Sequence, residues 1–129
     1  MSIDFSKAVG VHGDALRLHA ERTKILASNI ANVSTPGYQA RDMDFAASLK
    51  AAASSEGDGD GDGGLSLDGA GDGGREALYR VPYQPSQDGN TVEIGVEQAA
   101  FSQNALDFQT SLSFANLELK GLARAINGQ

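Results

Sequence analysis

Two stretches of the chain place residues in alternating steps of four and three. In the first, Phe5, Val9, His12, Leu16, His19, Thr23, Leu26, Ile30 and Val33 fall on one line. That is a heptad seam, the pattern of a helix packing lengthwise on another helix. A second line beside it holds Ala8, Val11, Ala15, Leu18, Ile25 and Asn29, so the face is wider than a two-stranded coiled coil needs. Gly10 and Gly13 weaken the first turns, each by roughly 1 kcal/mol relative to alanine. The first dozen residues are therefore expected to order on assembly. In the second stretch, Gln98, Phe101, Ala105, Phe108, Leu112, Ala115, Leu119, Leu122 and Ile126 step the same way. Its outer face carries Gln103, Asp107, Gln109, Asn116, Glu118 and Arg124. Asn127-Gly128 is a helix stop. The simplest fold is mainly α, with long N- and C-terminal helices paired as an antiparallel coiled-coil-like bundle. Seams this broad leave apolar surface exposed on a pair alone, which implies partners.

The segments between the helices read differently. The first seam runs into Ala31-Asn32-Val33-Ser34-Thr35-Pro36-Gly37-Tyr38. Proline blocks helix continuation and biases Thr35 toward an extended conformation. Pro36-Gly37 suits the central positions of a type II turn, where the second residue needs positive φ. Asp44 caps a short helix carrying Phe45 and Leu49. Tyr38, Met43 and Phe45 form a small apolar cluster that either packs on the parent helix or anchors into a neighbour. Leu78, Tyr79, Val81 and Tyr83 sit near alternation in a short extended piece, and Pro82 and Pro85 keep it out of a central strand. Asp88-Gly89-Asn90 is a turn signal. Thr91 to Ile94 then form either the second arm of a hairpin or the continuation of an arm that wraps a neighbour. The chain thus divides into an N-terminal helix (1–35), a turn and short helix (36–55), a linker (56–76), an extended arm or hairpin (77–94) and a C-terminal helix (95–129).

Composition singles out the linker. Nine of the 16 glycines and seven acids lie between Glu56 and Glu76 against one base, Arg75. That segment carries −6 of the net −7. It holds too little apolar surface to offset chain entropy, so it reads as a flexible acidic Gly-rich loop. Asp58-Gly59-Asp60-Gly61-Asp62-Gly63 matches the first half of a calcium-binding EF-hand loop. Position twelve, which should be a bidentate acid, is Gly69, so a solvated loop is the expectation. The acidic balance excludes a nucleic-acid binder. No cysteine is present, so there is no disulfide framework. His12 and His19 lie about 10 Å apart along a helix, too far for one ion. No phosphate loop or nucleophile with its base is visible, and acids in a loose loop cannot hold catalytic geometry. The reading is a non-enzyme with no cofactor, no metal and no small-molecule substrate. A cleaved signal peptide and a membrane-spanning apolar run are both missing from the pattern.

Ser28-Asn29-Ile30-Ala31-Asn32-Val33-Ser34-Thr35-Pro36-Gly37-Tyr38, followed by Phe45, resembles the signature near the N-terminus of bacterial flagellar rod and hook proteins. Tyr79-Arg80-Val81-Pro82, Gln84-Pro85-Ser86 and Asp88-Gly89-Asn90-Thr91-Val92 resemble the small proximal rod members of that superfamily. Phe101 and Asn104 fit its C-terminal pattern; the middle departs, and Gly95 stands where the resemblance implies an aspartate N-cap, a position that accepts glycine. The resemblance implies a structural subunit of the proximal rod of the flagellar basal body, assembling helically and transmitting torque. It implies export through the flagellum's type III apparatus without a cleaved signal peptide, and a periplasmic location. Its implied partners are other rod subunits, the rod–ring junction protein, and components of the export gate and membrane ring. The residues expected to pack within and between subunits are Val9, Leu16, Leu26, Ile30, Asn32, Thr35, Pro36, Gly37, Tyr38 and Phe45 at one end. At the other they are Phe101, Asn104, Phe108, Leu112, Leu119 and Leu122. A small acidic helical adaptor or export chaperone is the alternative, but it would need neither the Pro-Gly turn nor the proline-rich return segment.

Overall fold

The computed structural model of the chain describes residues 5–55 and 77–128. In order, its elements are α1 (Phe5–Ala31), β1 (Arg41–Met43), α2 (Phe45–Ser55), β2 (Ala77–Tyr79) and α3 (Ile94–Asn127). The fold is mainly α. Helices α1 and α3, 27 and 34 residues long, pack together, and a two-stranded sheet lies beside them. Their contacts are antiparallel: His12 stacks on Phe114, His19 meets Asn104, and Asn29 meets Glu97. The calcium-like run at Asp58 to Gly63 lies outside the described residues.

Helix α1 is kinked at Gly10, whose φ of 47° and ψ of −136° are not helical. Glycine reaches that conformation without a Cβ penalty, so the helix bends there. At the other end Tyr38 N–H donates to the Thr35 carbonyl at 3.3 Å, and Gly37 has φ 71°. Those are the marks of the type II turn expected from Pro36-Gly37. Asp44 caps α2 as expected, its Oδ1 accepting from Ala47 N–H at 3.1 Å. Phe45 and Leu49 of α2 pack, with Ala77, onto a core of Leu18, Ile25 and Met43. Phe45 also stacks on His19, ring centroids 4.2 Å apart. Within the subunit, then, Met43 and Phe45 pack on the parent helix.

Three expectations from the sequence are corrected. First, β2 pairs antiparallel with β1, in the register Arg41↔Tyr79, Asp42↔Leu78 and Met43↔Ala77, and not with residues 91–94. The Thr91 amide and hydroxyl are instead engaged by Tyr38 and Ala40, and Ile94 already begins α3. Second, the N-cap of α3 is Glu93, which makes no side-chain cap bond, so Gly95 lies inside the first turn. Third, the buried residues of α3 are Glu97, Asn104 and Ala115, of which Ala115 alone lies on the predicted seam. Phe101, Leu112 and Leu119 flank them and are exposed. The contact with α1 uses small and polar residues because each buried polar group there has a partner, which removes the usual penalty for burying it. The C-terminus ends as expected: Gly128 is left-handed at φ 70° and its N–H bonds the Arg124 carbonyl.

Candidate functional site

Two features sit where α1, the turn, the return segment and α3 converge, and a third runs along α3 and the return segment. The first is the docking of the return segment on the Pro-Gly turn. Gly37 N–H donates to the Asp88 carbonyl at 2.9 Å, and Thr91 N–H to the Tyr38 carbonyl at 3.0 Å. Ala40 N–H donates to Thr91 Oγ1 at 2.7 Å. Asn90 is buried, and its Nδ2 donates to the carbonyls of Asn32, Val33 and Thr35 at 3.0, 2.9 and 2.9 Å. These carbonyls belong to the turn that follows α1, and one side-chain amide from far along the chain gathers all three. Its own Oδ1 accepts from Val92 N–H at 2.7 Å, which fixes the orientation of the amide. Gly89, with φ 76°, lies against Gly37, and a Cβ there would stand 3.7 Å from the Gly37 Cα.

The second feature is a polar network threaded between the helices. Asn29 is fully buried. Its Nδ2 donates to the Arg41 carbonyl at 2.6 Å and to Glu97 Oε2 at 3.0 Å, while its Oδ1 accepts from Arg41 N–H at 3.1 Å. Glu97, also fully buried, takes its other bond from Arg80 Nη1. The Arg80 Nη2 reaches Asp42 Oδ2 at 2.7 Å, and Arg22 grips Asp42 with two bonds at 2.9 and 3.0 Å. Burial pushes the Asp42 carboxyl up, but hydrogen bonds from Arg22, the Met43 amide and Arg80, with the Arg22 charge, hold it below the usual carboxylate range. Two carboxylates and two guanidiniums thus alternate through the network, the charge-assisted pairing that a buried charge requires. Higher up the pair, Asn104 Nδ2 donates to the His19 carbonyl and to Thr23 Oγ1, both at 2.8 Å. Because that amide is the donor there, His19 Nδ1, 2.8 Å from Asn104 Oδ1, carries the proton.

The third feature is what the subunit leaves uncovered. Phe101, Leu112 and Leu119 form an exposed apolar stripe along α3, and Leu78, Tyr79, Val81 and Tyr83 are exposed along the return segment. Among the described residues no helix is long and apolar enough to cross a membrane.

Residues 10–39, which contain most of α1 and the Pro-Gly turn, match the model of the family described as flagella basal body rod protein. Relatives named flagellar basal body rod protein FlgB align over nearly the whole chain. The one from Cereibacter sphaeroides is 48% identical over 126 residues, covering 97% of this chain and 98% of its own. That from Aeromonas hydrophila is 40% identical over 135 residues, covering 100% and 99%. That from Salmonella typhimurium is 42% identical over 123 residues, covering 89% of each. This chain belongs to the FlgB family of flagellar basal body rod proteins. The family is a structural one, and its members are not enzymes.

For a member of the FlgB family, the placement of the expected packing residues divides them by role. Leu26 and Asn104 are fully buried, and Phe45 is half-buried against the core. Val9, Leu16, Ile30, Asn32, Tyr38, Phe108 and Leu122 are half-buried. Thr35, Pro36 and Gly37 stand exposed on the turn, and Phe101, Leu112 and Leu119 on the stripe. Asn32 and Thr35 brace the turn through Asn32 Nδ2 to the Ser28 carbonyl and Thr35 Oγ1 to Asn32 Oδ1. Tyr38 hydroxyl lies 3.0 Å from Ser28 Oγ. The residues missed from the sequence are Arg22, Asp42 and Glu97. Arg80 and Asn90 stood only within quoted motifs, with no role assigned. One signal was available: Glu97 and Asn104 lie one heptad apart, and they meet Asn29 of the second line and His19 of the first seam.

Proposed function

We propose that this chain is a structural subunit of the proximal rod, built in by helical assembly of its paired terminal helices. In this role it joins the membrane ring and export gate to the rest of the rod and transmits torque. The observation that carries the reading is the apolar stripe of Phe101, Leu112 and Leu119. It is exposed on a subunit in which no buried side-chain polar atom among the described residues lacks a partner. Among the described residues the buried side-chain polar atoms are thus all satisfied while apolar burial is not complete. Such surface is covered when subunits pack. Neighbouring rod subunits, the rod–ring junction protein and the export gate are the partners it would meet. The internal network suits transmission of torque, because α1, β1, the return segment and α3 are joined by charged bonds and cannot slide independently. Leu112→Asp tests the reading. The residue is exposed, so the free subunit should lose about 1 kcal/mol or less. The unpaired charge should nonetheless abolish rod assembly and motility. Normal swimming with that variant would count against the reading.

A further inference from the structure

The stripe on α3 is not the only unpartnered surface. The return segment presents Tyr83, 84% exposed, beside a carboxylate: Glu93 Oε2 accepts from Tyr83 N–H at 3.3 Å. Three residues before it, Arg80 turns inward to Asp42 and Glu97. The base of this knob is therefore fixed before any partner arrives, which lowers the ordering cost of binding. Elsewhere on the same subunit lies a cleft of about 160 Å³, lined by Lys24, Ile25, Ser28, Asn29, Tyr38, Arg41 and Ala77. Its lining is mostly apolar, and a volume of roughly this size admits one aromatic ring. The side chains of Lys24 and Arg41 make no ion pair among the described residues, in contrast to Arg22 and Arg80. An apolar slot with two free cations fits an aromatic residue that carries an acid at its side.

We infer that the Tyr83–Glu93 knob of one subunit seats in the Lys24–Arg41 cleft of a second copy of the same chain. The inference rests on the rod reading and names one of its contacts. The ring would fill the slot over Ile25 and Ala77, and the Glu93 carboxylate would meet Lys24 and Arg41. Tyr83 is exposed in its own chain and so does not occupy its own cleft. Knob and cleft are different surfaces, which makes the contact heterologous. A heterologous contact that does not close generates a helix of subunits.

The absence of cysteine from the chain makes the test direct. A strain lacking the native gene would co-express Tyr83→Cys and Lys24→Cys copies, and purified basal bodies would be oxidised. The expected result is a disulfide-linked dimer of twice the chain mass from the mixture, and none from either variant alone. Glu93→Cys with Lys24→Cys is the second pair, for use where loss of the ring prevents assembly. Intact rods without a dimer from either pair would overturn this contact and leave the rod reading standing. A cross-link to a different rod protein would overturn the second copy as occupant. Where no cysteine pair assembles, the charge swap Glu93→Lys with Lys24→Glu decides. Each single reversal should stop rod formation, and recovery in the combination supports the contact, whereas failure to recover overturns it.

Discussion

The Arg80 guanidinium closes on Glu97, a carboxylate with no exposed surface, and the same guanidinium bonds Asp42 at 2.7 Å. Arg80 thereby ties the return segment to both α3 and β1. Arg80→Ala leaves the Glu97 charge buried without its main partner, and should cost about 3–5 kcal/mol in urea unfolding. Arg80→Ala with Glu97→Ala should cost clearly less than the sum of the single changes, since the second removes the charge stranded by the first. Additive losses would show that the two groups are not coupled.

Acid should act on the same network through Asp42. Its folded pKa is depressed, because the bonds from Arg22, the Met43 amide and Arg80 outweigh the effect of burial. A group depressed on folding contributes stability that is present above its unfolded value and is lost as pH falls through the folded one. The loss should therefore begin as pH drops below about 4. Asp88, held low by the Ser86 hydroxyl and the Asn90 amide, titrates in the same window. The informative quantity is therefore a difference. Asp42→Asn should lower stability at pH 7 and flatten its decline below pH 4, and an unchanged acid slope would contradict the assignment.

Asn90 fastens the return segment to the turn that follows α1. Asn90→Ala removes the amide that the carbonyls of Asn32, Val33 and Thr35 share in the turn after α1, an expected loss of about 1–3 kcal/mol. Asn90→Asp keeps the size but sets a carboxylate against those carbonyls, and should be worse. Chemical denaturation of the three proteins checks the order native, alanine, aspartate.

Gly37 isolates backbone strain from packing. Its φ is 71°, and a Cβ added there meets nothing within 4 Å. Gly37→Ala should therefore cost only the left-handed penalty, about 1–2 kcal/mol. Gly37→Asn should cost less, because asparagine tolerates that region, and Gly37→Val more. Thermal melts of the three variants would show the ranking.

The parts legible in the sequence and the parts hidden from it separate along a physical line. Periodicity marked α1 and α3 because it measures which residues avoid water. The Pro36-Gly37 turn and the Asp44 cap were legible because each is written in local chemistry. Periodicity placed the α3 contact line only in part, however: Ala115 is buried, while Glu97 and Asn104 lay off the seam. Phe101, Leu112 and Leu119 avoid water, but the isolated subunit does not cover them. The residues that meet α1 include Glu97 and Asn104, whose burial depends on partners 68 and 85 positions away. The pairing of β2 with β1 was hidden for the same reason. Three-residue strands carry little pattern, and their register is held by long-range bonds such as that from Arg80 N–H to the Ala40 carbonyl.

The most direct test of the rod reading is electron microscopy of basal bodies purified from a strain lacking this chain, with motility scored alongside. The account predicts membrane rings without a rod, in non-motile cells, and restoration by the native chain but not by Leu112→Asp. Complete basal bodies in its absence would contradict it.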